Sequence, residues 1–119
     1  MRSVFREDHE MFRQMARRFI ENEITPHLHD WEKQGIVPKD IWLKAGEVGL
    51  LCSCVPQDFG GAGGDYGHSA IMVEELARAN ATAIGFTTHS EIVANYLVAY
   101  GNTEQKEKWL SKMVTGEVI

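Results

Sequence analysis

The chain has 119 residues, 44% of them apolar, which is enough for one buried core and little more. A formal charge of −5, with lysines and arginines scattered among acids, leaves no basic stripe for a phosphate backbone and argues against nucleic acid as a partner. No segment reaches the ~20 apolar residues of a membrane span. The start Met1-Arg2-Ser3-Val4-Phe5-Arg6-Glu7-Asp8 lacks a signal-peptide core, so the sequence reads as soluble, in a bacterial cytoplasm or, after loss of a transit peptide, a mitochondrial matrix.

Phe12, Met15, Ala16, Phe19 and Ile20 fall at i, i+3, i+4, i+7 and i+8, which predicts an amphipathic helix. Pro26 is expected to kink or restart it, and residues 30–34 then run to Gly35 as a cap. After Pro38, a second short helix carries Ile41, Trp42, Ala45 and Val48 on one face and stops at Gly49. An apolar run over 50–55 leads into Pro56-Gln57-Asp58-Phe59-Gly60-Gly61-Ala62-Gly63-Gly64, a loop that no regular element crosses.

Asp65 is placed to cap a helix whose buried stripe is Ser69, Met72, Val73, Leu76 and Ala77. Ser90 is expected to cap the next, over 91–100, whose apolar positions are Ile92, Val93, Tyr96, Leu97 and Tyr100, with Gly101 as its stop. Thr103 and Lys106 give half a capping box before a last helix lined by Trp109, Leu110 and Met113. With no strand-like alternation and no repeat, the expected fold is an all-α bundle of about five to six helices, one domain over 1–119.

The residues that could carry chemistry argue against a self-sufficient site. The glycine loop lacks a Gly-Lys-Ser/Thr ending and a preceding βα unit, so its glycines read as a tight linker and not an anion cradle. Cys52 and Cys54, two apart in an extended stretch, point to opposite faces and read as reduced thiols, neither disulfide nor zinc ligands. His27 and His29, near Asp30, fall on different faces of a helix and read as solvated. Glu74 and Glu75 diverge by about 100° around a helix; one is expected to pair structurally while the other faces water. His89-Ser90-Glu91 holds the residue types of a triad, but neighbours in sequence are not expected to reach one another in triad geometry. No catalytic residue, cofactor-binding residue or metal site is therefore assigned.

The stretch Val55-Pro56-Gln57-Asp58-Phe59-Gly60-Gly61-Ala62-Gly63-Gly64-Asp65-Tyr66, followed by Glu74-Glu75-Leu76-Ala77-Arg78, resembles a hallmark of the acyl-CoA dehydrogenase family. Upstream, the helix from Phe12 towards Pro26 and the segment Trp42-Leu43-Lys44-Ala45-Gly46-Glu47-Val48-Gly49-Leu50 look like the family's opening helices. Downstream, Tyr100-Gly101-Asn102-Thr103-Glu104-Gln105-Lys106 with Trp109-Leu110, and then Thr115-Gly116-Glu117, are similar to its closing turns. Phe86, His89, Ser90, Ile92 and Val93 resemble the long-chain branch, from which Thr87 and Thr88 depart.

The resemblance implies the N-terminal helical domain of a three-part flavoenzyme that oxidises acyl-CoA to trans-2-enoyl-CoA in fatty-acid β-oxidation. A glutamate removes the α-proton and FAD takes the β-hydride, both outside this domain. It further implies electron-transfer flavoprotein as acceptor and a homo-oligomer. Ile84, Gly85, Phe86, Thr88, His89 and Ile92 are expected to form one wall of the acyl pocket. This chain alone is expected to be inactive and to bind FAD weakly. Two alternatives stay open: a free-standing helical interaction module, and the same scaffold in an acyl-CoA oxidase.

Overall fold

The apolar spacing that begins at Phe12 folds as the first helix of a computed structural model that describes residues 5–119; residues 1–4, on which part of the signal-peptide reading falls, lie outside them. This helix, α1, spans Glu7–Phe19, with Glu7, Asp8 and Glu10 in its first turn and Arg17 and Arg18 in its last, the charge order the helix dipole favours. It runs on through a wide π-helical turn, Ile20–Ile24, into a tight 3-10 turn, Thr25–His27. Pro26 sits in that turn, and the chain restarts as α2, Leu28–Gln34, closed by Gly35.

Helix α3 spans Lys39–Glu47 with Pro38 just before it, and a short turn, Gln57–Phe59, interrupts the loop ahead of α4, Tyr66–Arg78. A turn over Thr82–Ile84 leads to a π-helical stretch, Thr87–Val93, continuous with α5, Ala94–Tyr100, and α6 spans Thr103–Thr115. Among the described residues there is no strand, and no helix is long and apolar enough to cross a membrane.

Two expected caps move. Ser90 does not cap the helix over 91–100, because winding begins earlier, after the left-handed turn at Gly85, and Ser90 lies inside the π-helical stretch. The cap of α6 is Asn102, not Thr103. Its side chain accepts from the Gln105 amide at 2.9 Å, and the Gln105 side chain accepts from the Asn102 amide at 3.1 Å, a full capping box one residue earlier than expected.

The core lies where α1, α3, α4 and α6 meet around the bend over 50–55, and Ala16, Ile20, Leu50, Leu51, Met72, Leu76 and Leu110 are all buried there. Helices α1 and α4 are tied by charge as well as packing. The buried Glu75 carboxylate accepts from Arg17 at 2.7 and 2.9 Å and from Arg13 at 2.8 Å. Helix α3 meets α6 through glycine, since a Cβ on Gly46 would lie 2.3 Å from the Thr115 backbone.

At the other end of α1, the Arg6 amide donates to His9 Nδ1 at 2.9 Å and His9 Nε2 donates to the Asp65 carboxylate at 2.7 Å, joining the starts of α1 and α4. The bond from His9, and then that from Arg6, holds the Asp65 carboxyl well below the usual carboxylate range.

Candidate functional site

Glycine at 85 and a widened helical turn after it build a strongly apolar hollow. Gly85 has φ +93, which an L side chain rarely adopts, and this lets the chain reverse close to the Trp42 ring. The π-helical winding over Thr87–Val93 then sets Thr88 and His89 towards a groove between this helix and α6, while Ser90 turns beneath it. The groove has a volume of about 610 Å³; Val93 and Leu97 form one side, Trp109 and Met113 the other, Trp42 its inner end, and Val118 and Ile119 run along its edge.

The polar groups at this groove are held in a buried chain. His89 Nε2 donates to the Val118 carbonyl at 2.8 Å, so Nδ1 is the bare nitrogen and accepts from the Ser90 hydroxyl at 2.9 Å. Behind Ser90, the Cys52 thiol donates to its oxygen at 3.7 Å. Burial lowers the His89 pKa, with the Val118 bond opposing it, and burial pushes the Cys52 thiol up to about 12. A neutral histidine with both nitrogens engaged, beside a thiol that stays protonated, supplies no base or nucleophile to the groove.

His89 and Ser90 are thus hydrogen-bonded to one another, a contact that the expectation about triad geometry did not address. The triad still does not form. Glu91 points elsewhere, its carboxylate oxygens buried without a hydrogen-bond partner of good geometry among the described residues, beside the Ser69 hydroxyl.

Of the residues expected to line an acyl pocket, Gly85, Thr88 and His89 share the groove. Phe86 is buried in the core, edge-on to Trp42 at 4.6 Å between ring centroids. Ile84 is buried and borders a separate hollow of about 530 Å³ with Trp31, Ile36 and Val37. Ile92 is half exposed, beside Asn95, Tyr96 and Tyr100, away from the groove. Sequence reasoning did not name Val93, Leu97, Trp109 and Met113 as lining, although each pair sits four residues apart, the spacing that puts two side chains on one helical face.

The remaining polar clusters are structural. In the glycine loop, the amides of Gly61, Gly63 and Gly64 donate to the carbonyls of Pro56, Val55 and Ser53, so they do not face outward to an anion. Cys52 is not in extended backbone, as the sequence reading had it, but at φ 54. Cys54 faces away from it and contacts Ser69 Oγ at 2.9 Å; both thiols are free. Glu75 is the structurally paired carboxylate, and Glu74 also reaches Arg13, at 3.4 Å, so it does not simply face water. His27 stacks on Trp31 at 5.5 Å.

Asp8, His9 and His68 bring ligand atoms within 4.8 Å of one another. Nδ1 of His9 and of His68 accepts a backbone amide, from Arg6 and from Asp65, which leaves the proton on each Nε2 and no lone pair there for a metal. The Arg6 guanidinium between Asp8 and Asp65 adds positive charge where a cation would sit.

Residues 6–117 match the family model described as acyl-CoA dehydrogenase, N-terminal domain. The chain belongs to the acyl-CoA dehydrogenase family. It is 41% identical over 119 residues to the long-chain specific acyl-CoA dehydrogenase, mitochondrial, of Mus musculus, covering all of this chain and 28% of that protein. The crystal structure of acyl-CoA dehydrogenase from Geobacillus kaustophilus superposes with a TM-score of 0.94 at 44% identity, over all of this chain and 31% of that one. Acyl-CoA dehydrogenase complexed with FAD from Bacillus anthracis superposes with a TM-score of 0.82 at 35% identity, over 96% of this chain and 20% of that one. The chain thus spans less than a third of the length of these relatives and corresponds to the helical N-terminal domain of an acyl-CoA dehydrogenase.

Proposed function

We propose that this domain supplies one wall of the acyl pocket of an FAD-dependent acyl-CoA dehydrogenase that oxidises acyl-CoA to trans-2-enoyl-CoA, and that it is inactive alone. The observation that carries this reading is the groove beside Gly85, Thr88 and His89, apolar on both sides and about 610 Å³ in volume, a shape suited to a fatty chain. Family membership supplies the reaction class, and the engaged state of His89 and Cys52 supports placing the catalytic groups outside this chain.

The glycine loop does not fit the diphosphate of FAD, because the amides of Gly60, Gly61, Gly63 and Gly64 already donate to backbone carbonyls. Tight flavin binding is therefore assigned to the rest of the protein. Electron-transfer flavoprotein as acceptor and a homo-oligomeric enzyme complete the proposal.

The test compares this chain with the product of its whole reading frame, each given FAD and tetradecanoyl-CoA, following flavin bleaching near 450 nm (roughly where oxidised flavin absorbs). Bleaching in the longer protein alone is the expected result. Flavin bound without bleaching in the longer protein would sink the dehydrogenase reading, and a frame ending at Ile119 would favour an interaction module.

A further inference from the structure

The edge of the groove formed by Val118 and Ile119 is backbone that has left α6, and two hydrogen bonds fix it. The Val118 amide donates to the Lys112 carbonyl at 3.1 Å, and the Val118 carbonyl accepts from His89 Nε2 at 2.8 Å. The second comes from a side chain across the groove on the π-helical stretch. Without it the Val118 carbonyl would be left part-buried and unpaired or would turn to water, and in turning it would carry Val118 and Ile119 off the groove.

Of the two neutral forms of histidine, only the one with the proton on Nε2 makes this bond. That form is selected from behind, where the Ser90 hydroxyl donates to Nδ1 and is itself backed by the Cys52 thiol. Cys52 occupies the left-handed region, with φ 54, which a non-glycine residue rarely adopts. In that conformation its thiol lies fully buried behind Ser90. The Trp42 ring, edge-on to the imidazole at 4.9 Å, fixes the ring's position from the inner end.

We infer that His89 is a positioning residue, a latch that holds Val118 and Ile119 along the edge of the groove. The latch stands on this geometry alone; its consequence for ligand binding rests on the acyl-pocket reading.

The test uses the chain uniformly labelled with ¹⁵N. Long-range imidazole correlations report which ring nitrogen of His89 is protonated, and amide exchange reports the anchoring of Val118. Tetradecanoyl-CoA binding is followed through quenching of the groove tryptophans. The expected result is an Nε2–H tautomer, with Val118 exchange about tenfold faster in His89→Leu and little changed in His89→Gln, which keeps an N–H donor at similar reach. Binding of tetradecanoyl-CoA should weaken in the same order.

An Nδ1–H tautomer overturns the latch, as does unchanged Val118 exchange in a folded His89→Leu chain. Should that variant not fold, Ser90→Ala decides: by removing the donor to Nδ1 it should let the Nδ1–H form appear and speed Val118 exchange, and neither change would overturn the latch. Latch signatures without tetradecanoyl-CoA binding would overturn the pocket reading and leave the latch standing, whereas binding without the signatures would do the reverse.

Discussion

Two glutamates sixteen positions apart show how environment decides what a carboxylate does. Glu75 is 1% exposed and accepts from Arg17 and Arg13, and these bonds, led by those from Arg17, hold its carboxyl below the ordinary glutamate value of 4.5. Its stabilisation is present above pH 4.5 and is lost as the pH falls through the folded value. Glu75→Gln keeps the shape but takes from Arg17 its closest charge partner and leaves Arg13 only the longer contacts to Glu74 and Glu10, and should cost about 3 kcal/mol in urea melts at pH 7. Glu91 is the opposite case. Burial pushes its carboxyl up, with only the Ser69 hydroxyl opposing, so the folded state loses stability as the pH rises from 4.5 towards the folded value. Glu91→Gln should therefore stabilise the chain by about 1 kcal/mol at pH 7, the scale of one unpaired buried polar group. Because the carboxyl is protonated in both states at acid pH, the variant and the parent should melt together below pH 4.5. Melting curves at pH 4 and pH 7 check both signs. An equal gain at the two pH values would count against a charge effect. The pairing of one member of Glu74-Glu75 was legible in the sequence from helical rotation alone. The bond between His89 and Ser90 was not, because Ser90 read as the cap of a helix starting at 91, whereas both residues sit inside a π-helical turn.

At the scale of elements, a 3.6-residue pattern or a clear cap was readable in advance: the apolar face of α1 from Phe12, the stop of α2 at Gly35, and α4 from its Asp65 cap. The helix over Thr87–Tyr100 was misread because an i, i+3, i+4 count assumes a constant turn, and the π-helical stretch adds a residue to it. The positions picked as its apolar stripe face mainly outward, while Ala94, His89 and Ser90 face in. Helix contacts through glycine were equally hidden, since close approach depends on what lies opposite. Gly116 ends α6 at φ +83, and a Cβ there would lie 2.3 Å from the Trp42 carbonyl, whereas Gly35 ends α2 at φ +73 with nothing within 4 Å. Gly35→Ala should cost about 1 kcal/mol, the strain of the left-handed region alone. Gly116→Ala adds a clash with the backbone of α3 and should cost about 3 kcal/mol or prevent folding. Thermal melts of the two variants separate backbone strain from close approach. Equal losses would mean that α6 shifts to accept the methyl group without disturbing α3.

The whole molecule leaves apolar surface where a small acidic domain would be expected to present charge. On the outer face of the helix over Thr87–Tyr100, Ile92, Tyr96 and Tyr100 are exposed, Tyr96 by 64% and Tyr100 by 82%, and the two tyrosine rings lie 5.8 Å apart. Trp109 and Ile119 extend apolar exposure around the groove. Singly such residues are ordinary, but a contiguous set on one side of a helix marks a surface that another surface covers. The net charge of −5 opposes self-contact, yet it acts through solvent and fades within about 10 Å at 0.1 M salt, whereas apolar contact is short-ranged and does not weaken with salt. Association should therefore persist, and strengthen, as salt is raised. Light scattering is expected to find dimers or larger species at high protein concentration, with the double variant Ile92→Lys and Tyr96→Lys shifted to monomer. Because both side chains are largely outside the core, this variant should melt within about 0.5 kcal/mol of the parent, so a change in assembly would not be a disguised loss of folding. A parent chain that stays monodisperse and monomeric at high salt and high concentration would show that this face, for all its apolar character, is satisfied by water.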